Sequence, residues 1–247
     1  MKSLIKQKLI KNSPLVTEQN DAPVKTPFTI VEAYKSIRVR LQSELNLING
    51  KIFAISSPFA SDGKSTTAIN LAITFSHLNK KVLLIDADNR RSSLHKKLKL
   101  ENDVGCIDIL LGNSDLKSAV KSYNNYLDVM TAGTAATNPS ELFSSAEFDA
   151  LLAEAKRVYD YVIIDTPPVN LVSDTLVIAQ KTDGIVLVAK AKATTYKAFR
   201  FTLDAIKALD IKILGAILNS VDNNKSKYYK SKYGYGKRNK YYYYARY

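Results

Sequence analysis

Cysteine is almost absent: Cys106 stands alone in 247 residues. That excludes an internal disulfide framework, and a multi-cysteine zinc or iron–sulfur site built from this chain by itself. A reducing compartment fits such poverty. Long apolar runs are missing too: no stretch approaches a membrane span, and the basic N-terminus MKSLIKQKLIKNSP lacks the continuous apolar segment of a secretory leader. Both absences predict a cytosolic protein. The two histidines, His77 and His95, have no metal-ligand spacing, and no Ser/His/Asp constellation supports hydrolytic catalysis. One region has no acid at all: residues 223–247 hold eight Lys or Arg and nine tyrosines, and neither Asp nor Glu.

The formal net charge is +13, and its placement decides its meaning. Residues 223–247 account for +8 and residues 1–25 for +3, which leaves about +2 for the body. A basic face for nucleic acid is therefore not expected on the folded part. Membrane headgroups, an acidic partner or the protein's own acidic site are the partners such arms suit.

What is present is a repeated alternation of short β-branched runs and longer helical periods. Ile30, Tyr34, Ile37, Leu41, Leu45 and Ile48 recur at steps of three and four and predict an amphipathic helix over 30–48. Residues 51–56, 81–86, 127–131, 161–165, 184–190 and 213–219 read as buried strands. Helices are expected at 64–78, 140–157, 171–180 and 195–209. Strand followed by helix, repeated, implies an α/β fold: a mostly parallel sheet with helices on both faces and ligands at the strands' carboxyl ends. Residues 1–26 and 223–247 lack this periodicity and are read as flexible arms around one domain, 27–222.

The candidate chemistry falls at those strand ends. In SSPFASDGKSTTAINLA a strand runs through a loop into a helix opening at Gly63, Lys64, Ser65 and Thr66. Loop and helix amides, the Lys64 charge and the Ser65 hydroxyl suit a phosphate group and Mg²⁺, with Ser61 and Asp62 in the same loop. Pro58 stands where the phosphate-loop pattern wants its first glycine. LLIDAD and VIIDTPP each deliver carboxylates to the sheet edge: Asp86 and Asp88, then Asp165. An aspartate ending a strand is commonly a turn former; three of them beside Lys64 make a nucleoside triphosphate and Mg²⁺ site for phosphoryl transfer.

DGKSTTAINLA, VLLIDADNRRSSLHK and YDYVIIDTPPV together resemble the bacterial tyrosine kinases of capsule and exopolysaccharide synthesis, in particular their CpsD/CapB type. The resemblance covers roughly residues 30–222 plus the tail's composition, and implies a P-loop NTPase-like fold using ATP and Mg²⁺. By that resemblance Lys64 holds the β and γ phosphates, Ser65 ligates Mg²⁺, and Asp86, Asp88 and Asp165 complete the metal and proton-transfer network. Asp86 is placed nearest the acceptor hydroxyl, and Asn219, closing the last strand, resembles a residue that reads adenine; a turn role is its alternative. EAYKSIR is similar to the family's oligomerisation motif, with Glu32 and Arg38 in place and Lys35 where a middle arginine is usual. A charged helix face is the plain alternative. The stretch 133–145 also resembles the family and is assigned no chemistry.

The acceptors so implied are Tyr228, Tyr229, Tyr233, Tyr235, Tyr241, Tyr242, Tyr243, Tyr244 and Tyr247, phosphorylated between subunits of a ring. The resemblance further implies a transmembrane activator that recruits the protein to the inner face of the membrane, and a cognate phosphatase. Two departures stand out: Ala60 and Ser61 replace the usual Pro-Gly, and Ser61 lacks glycine's freedom at positive φ. A regulatory ATPase of the MinD/ParA type is the competing reading, although Phe59 occupies the place of that group's signature lysine. A non-catalytic module with a degenerate loop is the third.

Overall fold

The structure, a computed structural model, describes residues 28–221. The two expected arms, with all nine candidate acceptor tyrosines, lie outside the described residues. The chain opens with helix α1 (Phe28–Leu47), then β1 (Ile52–Ser56), α2 (Lys64–Ser76) and β2 (Val82–Asp86). Three short helices follow, α3 (Leu94–Leu98), α4 (Cys106–Leu110) and α5 (Leu116–Ala119). Strands β3 (Val120–Asn124) and β4 (Leu127–Met130) lead to α6 (Pro139–Ser144), α7 (Ala146–Val158) and β5 (Tyr161–Asp165). The described part ends with α8 (Asp174–Gln180), β6 (Ile185–Lys190), α9 (Tyr196–Lys207) and β7 (Ile213–Asn219).

The seven strands form one sheet in the order β3-β4-β2-β5-β1-β6-β7. Every pairing is parallel except β3 with β4. The central strands are buried along their whole length because helices cover both faces, so successive side chains enter different cores. Phe53, Ile55, Leu84 and Val188 pack on one face beneath Leu41 and Leu45 of α1 and Leu71 and Phe75 of α2. Leu83, Ile85 and Ile164 pack on the other with Ile107, Phe148 and Leu152, while Ala54 and Leu187 meet Ile206 of α9. Phe75 also lies 4.5 Å from Tyr161, ring to ring.

The six expected strands and the amphipathic α1 are present, and the fold is the P-loop NTPase-like sheet. Three local differences have physical causes. Strand β3, VKSYN, is an antiparallel edge strand, half-exposed and polar, so it carries no apolar run to read. The single helix expected over 140–157 is two: Ser145 takes extended backbone (φ −72°, ψ 165°) between α6 and α7. The helix expected from 171 begins only at Asp174, after a turn.

Candidate active site

Every chemistry-bearing strand ends at one edge. β1 feeds the loop 57–63, whose turn into α2 needs Gly63 at φ 100°, ψ 15°, a left-handed conformation natural to glycine. α2 then points its first amides and its dipole's positive end at the space beyond the sheet. Asp86 and Asp165 close β2 and β5 side by side in register. A cavity of about 550 Å³ opens there, lined by Gly63, Lys64, Ser65, Thr66 and Asp88 among others.

Lys64 is nearly buried and sits between carboxylates: Nζ donates to Asp88 Oδ2 at 2.8 Å, lies 3.5 Å from Asp165 Oδ1, and reaches Ser65 Oγ at 3.2 Å. Burial alone would lower its pKa, but the charges of Asp165, Asp88 and Asp86, with the Asp88 hydrogen bond, raise it. The ammonium is thus kept charged. Asp165 is completely buried, and neither of its oxygens has a hydrogen-bond partner. Burial pushes its pKa up, Lys64 opposes the rise, and Asp86 adds to it. Such an orphaned carboxylate, with the Ser65 hydroxyl nearby, supplies the hard oxygen donors that Mg²⁺ takes, so the residues fit that ion. No group of three His, Cys, Asp or Glu among the described residues forms a ready cage. A metal here would complete its shell with water and substrate phosphate.

Asp86 is placed differently from its expected role beside the acceptor. Its Oδ2 accepts from Ser92 Oγ (2.9 Å), Ser93 N (3.2 Å) and Leu94 N (3.1 Å), and its Oδ1 from Asp88 N (3.1 Å). Those four donors fold the loop after β2, and it is Asp88 that reaches the cavity wall. Burial raises the Asp86 pKa, and the Leu94 amide and Ser92 hydroxyl draw it back. His95, in the first turn of α3, meets this loop with Nδ1 2.9 Å from Ser92 Oγ.

Asp62 is also turned inward. Its carboxylate accepts from Phe59 N (3.1 Å) and Thr194 Oγ1 (3.0 Å), and its carbonyl accepts from Asn219 Nδ2 (3.0 Å). Asp62 therefore braces the phosphate loop, and Asn219 ties the end of β7 to it. Ser61 adopts φ 66°, the left-handed region that its sequence context demands. That backbone costs a non-glycine residue about 1–2 kcal/mol, and glycine's greater unfolded-state freedom offsets about 0.5–1 kcal/mol. Ser61→Gly is expected to raise the melting temperature by the equivalent of about 0.5–1 kcal/mol and to tighten nucleotide binding. A lower melting temperature would show that Ser61 stores no strain in its left-handed backbone.

A profile of the AAA domain family matches residues 50–213. Tyrosine-protein kinase YwqD of Bacillus subtilis is 40% identical over 205 residues, 83% of this chain and 85% of that protein. Tyrosine-protein kinase CpsD of Streptococcus agalactiae is 35% identical over 212 residues, 85% of this chain and 91% of that protein. Among solved structures, the kinase domain of the Escherichia coli tyrosine kinase ETK superposes with a TM-score of 0.76 at 32% identity, covering 84% of this chain and 80% of that one. The chain belongs to the bacterial tyrosine-protein kinases. Membership places it apart from the MinD/ParA-type reading.

In this kinase the expected oligomerisation residues stand away from the cavity. Lys35 Nζ pairs with Glu32 Oε1 at 2.8 Å within α1, both half-exposed, and Arg38 turns inward, donating to Thr74 O of α2 at 2.8 Å. Sequence reasoning missed a second set of residues that knits the kinase's strand-end loops together. Asn89 Nδ2 donates to Thr134 O (2.9 Å) and its Oδ1 accepts from Ala136 N (2.8 Å). Arg90 Nε donates to Asp174 Oδ2 at 2.9 Å, and Asp174 also accepts from Ser140. DNRRSS offered a signal only in its charge, since the partners lie far along the chain. Cys106 is wholly buried, and burial pushes its thiol up to about 12, consistent with a packing role.

Proposed function

We propose that this chain is an ATP-dependent autokinase whose acceptors are the tyrosines of its own residues 228–247, and that it controls capsule or exopolysaccharide synthesis. One observation carries the reading: a buried, charged Lys64 beside the orphaned Asp165, at the mouth of a helix-opening phosphate loop. The relatives' names supply the acceptor class, tyrosine.

ATP lies across the Gly63–Thr66 turn, with the γ phosphate toward Lys64. Ser65 and Asp165 would hold Mg²⁺, which would supply charge neutralisation of the phosphates. A tyrosine hydroxyl, with an ordinary pKa near 10, attacks the γ phosphorus; its oxygen forms the new bond, and the bond to the β–γ bridging oxygen breaks. ADP leaves with that electron pair, and the phenolic proton passes to the carboxylates of the β2 loop, Asp88 foremost. Phosphotyrosine and ADP are the products.

β7 ends at Asn219, which touches the phosphate loop through Asp62. The described residues therefore end, at 221, beside the nucleotide site. A random coil of about 25 residues spans roughly 25–30 Å, a reach that covers the same subunit's site or a neighbour's. We place the transfer between subunits of a ring, with a transmembrane activator holding the protein at the membrane and a phosphatase reversing the modification. Among the described residues no helix is long and apolar enough to cross a membrane, which suits a separate anchor. Each phosphate adds about −1.5 to −2 charge, so about five would cancel the tail's +8. Mixing an active subunit cut before the tail with a Lys64→Met subunit that keeps it should label the latter from ATP. Absence of label there would rule out transfer between subunits.

A further inference from the structure

The sheet order divides the cavity into two sides. β1 and its loop stand in the middle, with β6 and β7 to one side and β5 and β2 to the other. Asn219 ends β7, so a nucleoside on that side sends its phosphates across the start of α2 toward β2. Arg90 stands at this far end, on the loop after β2, and lines the cavity with Arg91 and Lys97.

Arg90 differs from those two neighbours in being held. Asp174, 1% exposed, takes its Nε at 2.9 Å and its second nitrogen at 3.4 Å. Ser140, itself 3.1 Å from Ser173, donates to the same carboxylate, so the acceptor is fixed from a second direction. A guanidinium has five N–H groups in a planar fork. Two are spent on Asp174, and three remain on a side chain that is 45% exposed toward the cavity. Lys64, the other cation facing the γ phosphate, shares its donors with Asp88 and Asp165. The phosphoryl group gathers charge on its equatorial oxygens as the tyrosine oxygen bonds and the bridging oxygen leaves, and donors already in place stabilise that charge without reorganisation.

We propose that Arg90 is a catalytic residue that donates hydrogen bonds to the phosphoryl group in transfer, and that Asp174 is its positioning residue. The proposal rests on the kinase reading of the cavity. A residue that acts on the transferring group favours the transition state over the ground state, so its loss lowers kcat while the KM for ATP is unchanged.

The test is equilibrium binding of Mg·ADP, with and without aluminium fluoride as a mimic of the phosphoryl group in flight, to the full chain. Arg90→Ala should bind Mg·ADP as the parent does and lose about 100-fold in affinity for the fluoride complex. Arg90→Lys, which keeps the charge and loses the fork, and Asp174→Asn should show smaller losses of the same kind. Guanidinium ion added at millimolar concentration should restore part of the Arg90→Ala loss. Equal weakening of both complexes in the variants would mean that Arg90 only braces the loops, and would overturn the proposal. So would an Arg90→Lys protein indistinguishable from the parent, which keeps the question decidable if Arg90→Ala does not fold. Failure of the unaltered protein to bind Mg·ADP at all would instead sink the kinase reading of the cavity.

Discussion

Lys64→Met should abolish tyrosine labelling from ATP and lower the melting temperature of the nucleotide-free protein. The first effect follows from the loss of the cation nearest the transferring phosphate; removing one such preorganised donor costs about 100- to 1,000-fold in rate. The second follows from the site's own charges. Lys64 neutralises Asp88 at 2.8 Å and Asp165 at 3.5 Å, and all three are nearly or wholly buried. Removing one partner of a buried ion pair costs about 3–5 kcal/mol, a large part of the roughly 5–15 kcal/mol that holds a domain folded. Labelling is therefore to be compared at a temperature where circular dichroism shows the variant folded. Full labelling by folded Lys64→Met would remove the assignment of the phosphate loop.

Asp165→Asn separates stability from activity in the opposite sense. The carboxylate is fully buried with neither oxygen hydrogen-bonded, a costly placement for a charge that has one cation, Lys64, at 3.5 Å and the like charges of Asp86 and Asp88 nearby. Neutralising it removes that cost while Lys64 keeps Asp88. We expect the nucleotide-free protein to melt higher, by on the order of 1 kcal/mol, and the labelling rate to fall by about 100-fold through loss of the metal's oxygen donor. Melting curves without nucleotide, set beside the rate of labelling, read both. A lower melting temperature with labelling retained would make Asp165 a structural partner of Lys64 and nothing more.

Part of the site was legible in the sequence because burial and adjacency mark it, and part was not because it is assembled from distant residues. Strands such as VLLID and YVIID are buried on two faces, so their residues are apolar without interruption until the aspartate that ends them. That pattern exposes both the strand and its reactive end. Gly63-Lys64-Ser65 is legible because a helix opening on a phosphate constrains consecutive residues. Arg90 and Asp174 are not consecutive; they meet only because β2 and β5 are neighbours, and neither residue differs in sequence from a solvated charge. Asp62 looked like a ligand because it sits inside the motif, whereas its oxygens face Phe59 and Thr194. β3 escaped notice for a related reason: an edge strand half in water has no need of an apolar run.

The place of β1 in the sheet has a consequence for the protein's synthesis. β1 is made early, yet its two partners are β5 and β6, which pair with it from Ile52↔Val162 and Ala54↔Ile185. Contacts so distant along the chain form slowly, because a long loop must close before they repay its entropy. A ribosome that has translated only as far as α7 carries the whole phosphate loop but neither strand that shapes it. Nascent chains of that length should ignore ATP, and those extended past Lys190, once clear of the exit tunnel, are the first able to hold it. The enzyme is thus unable to hold ATP until β6 has been made.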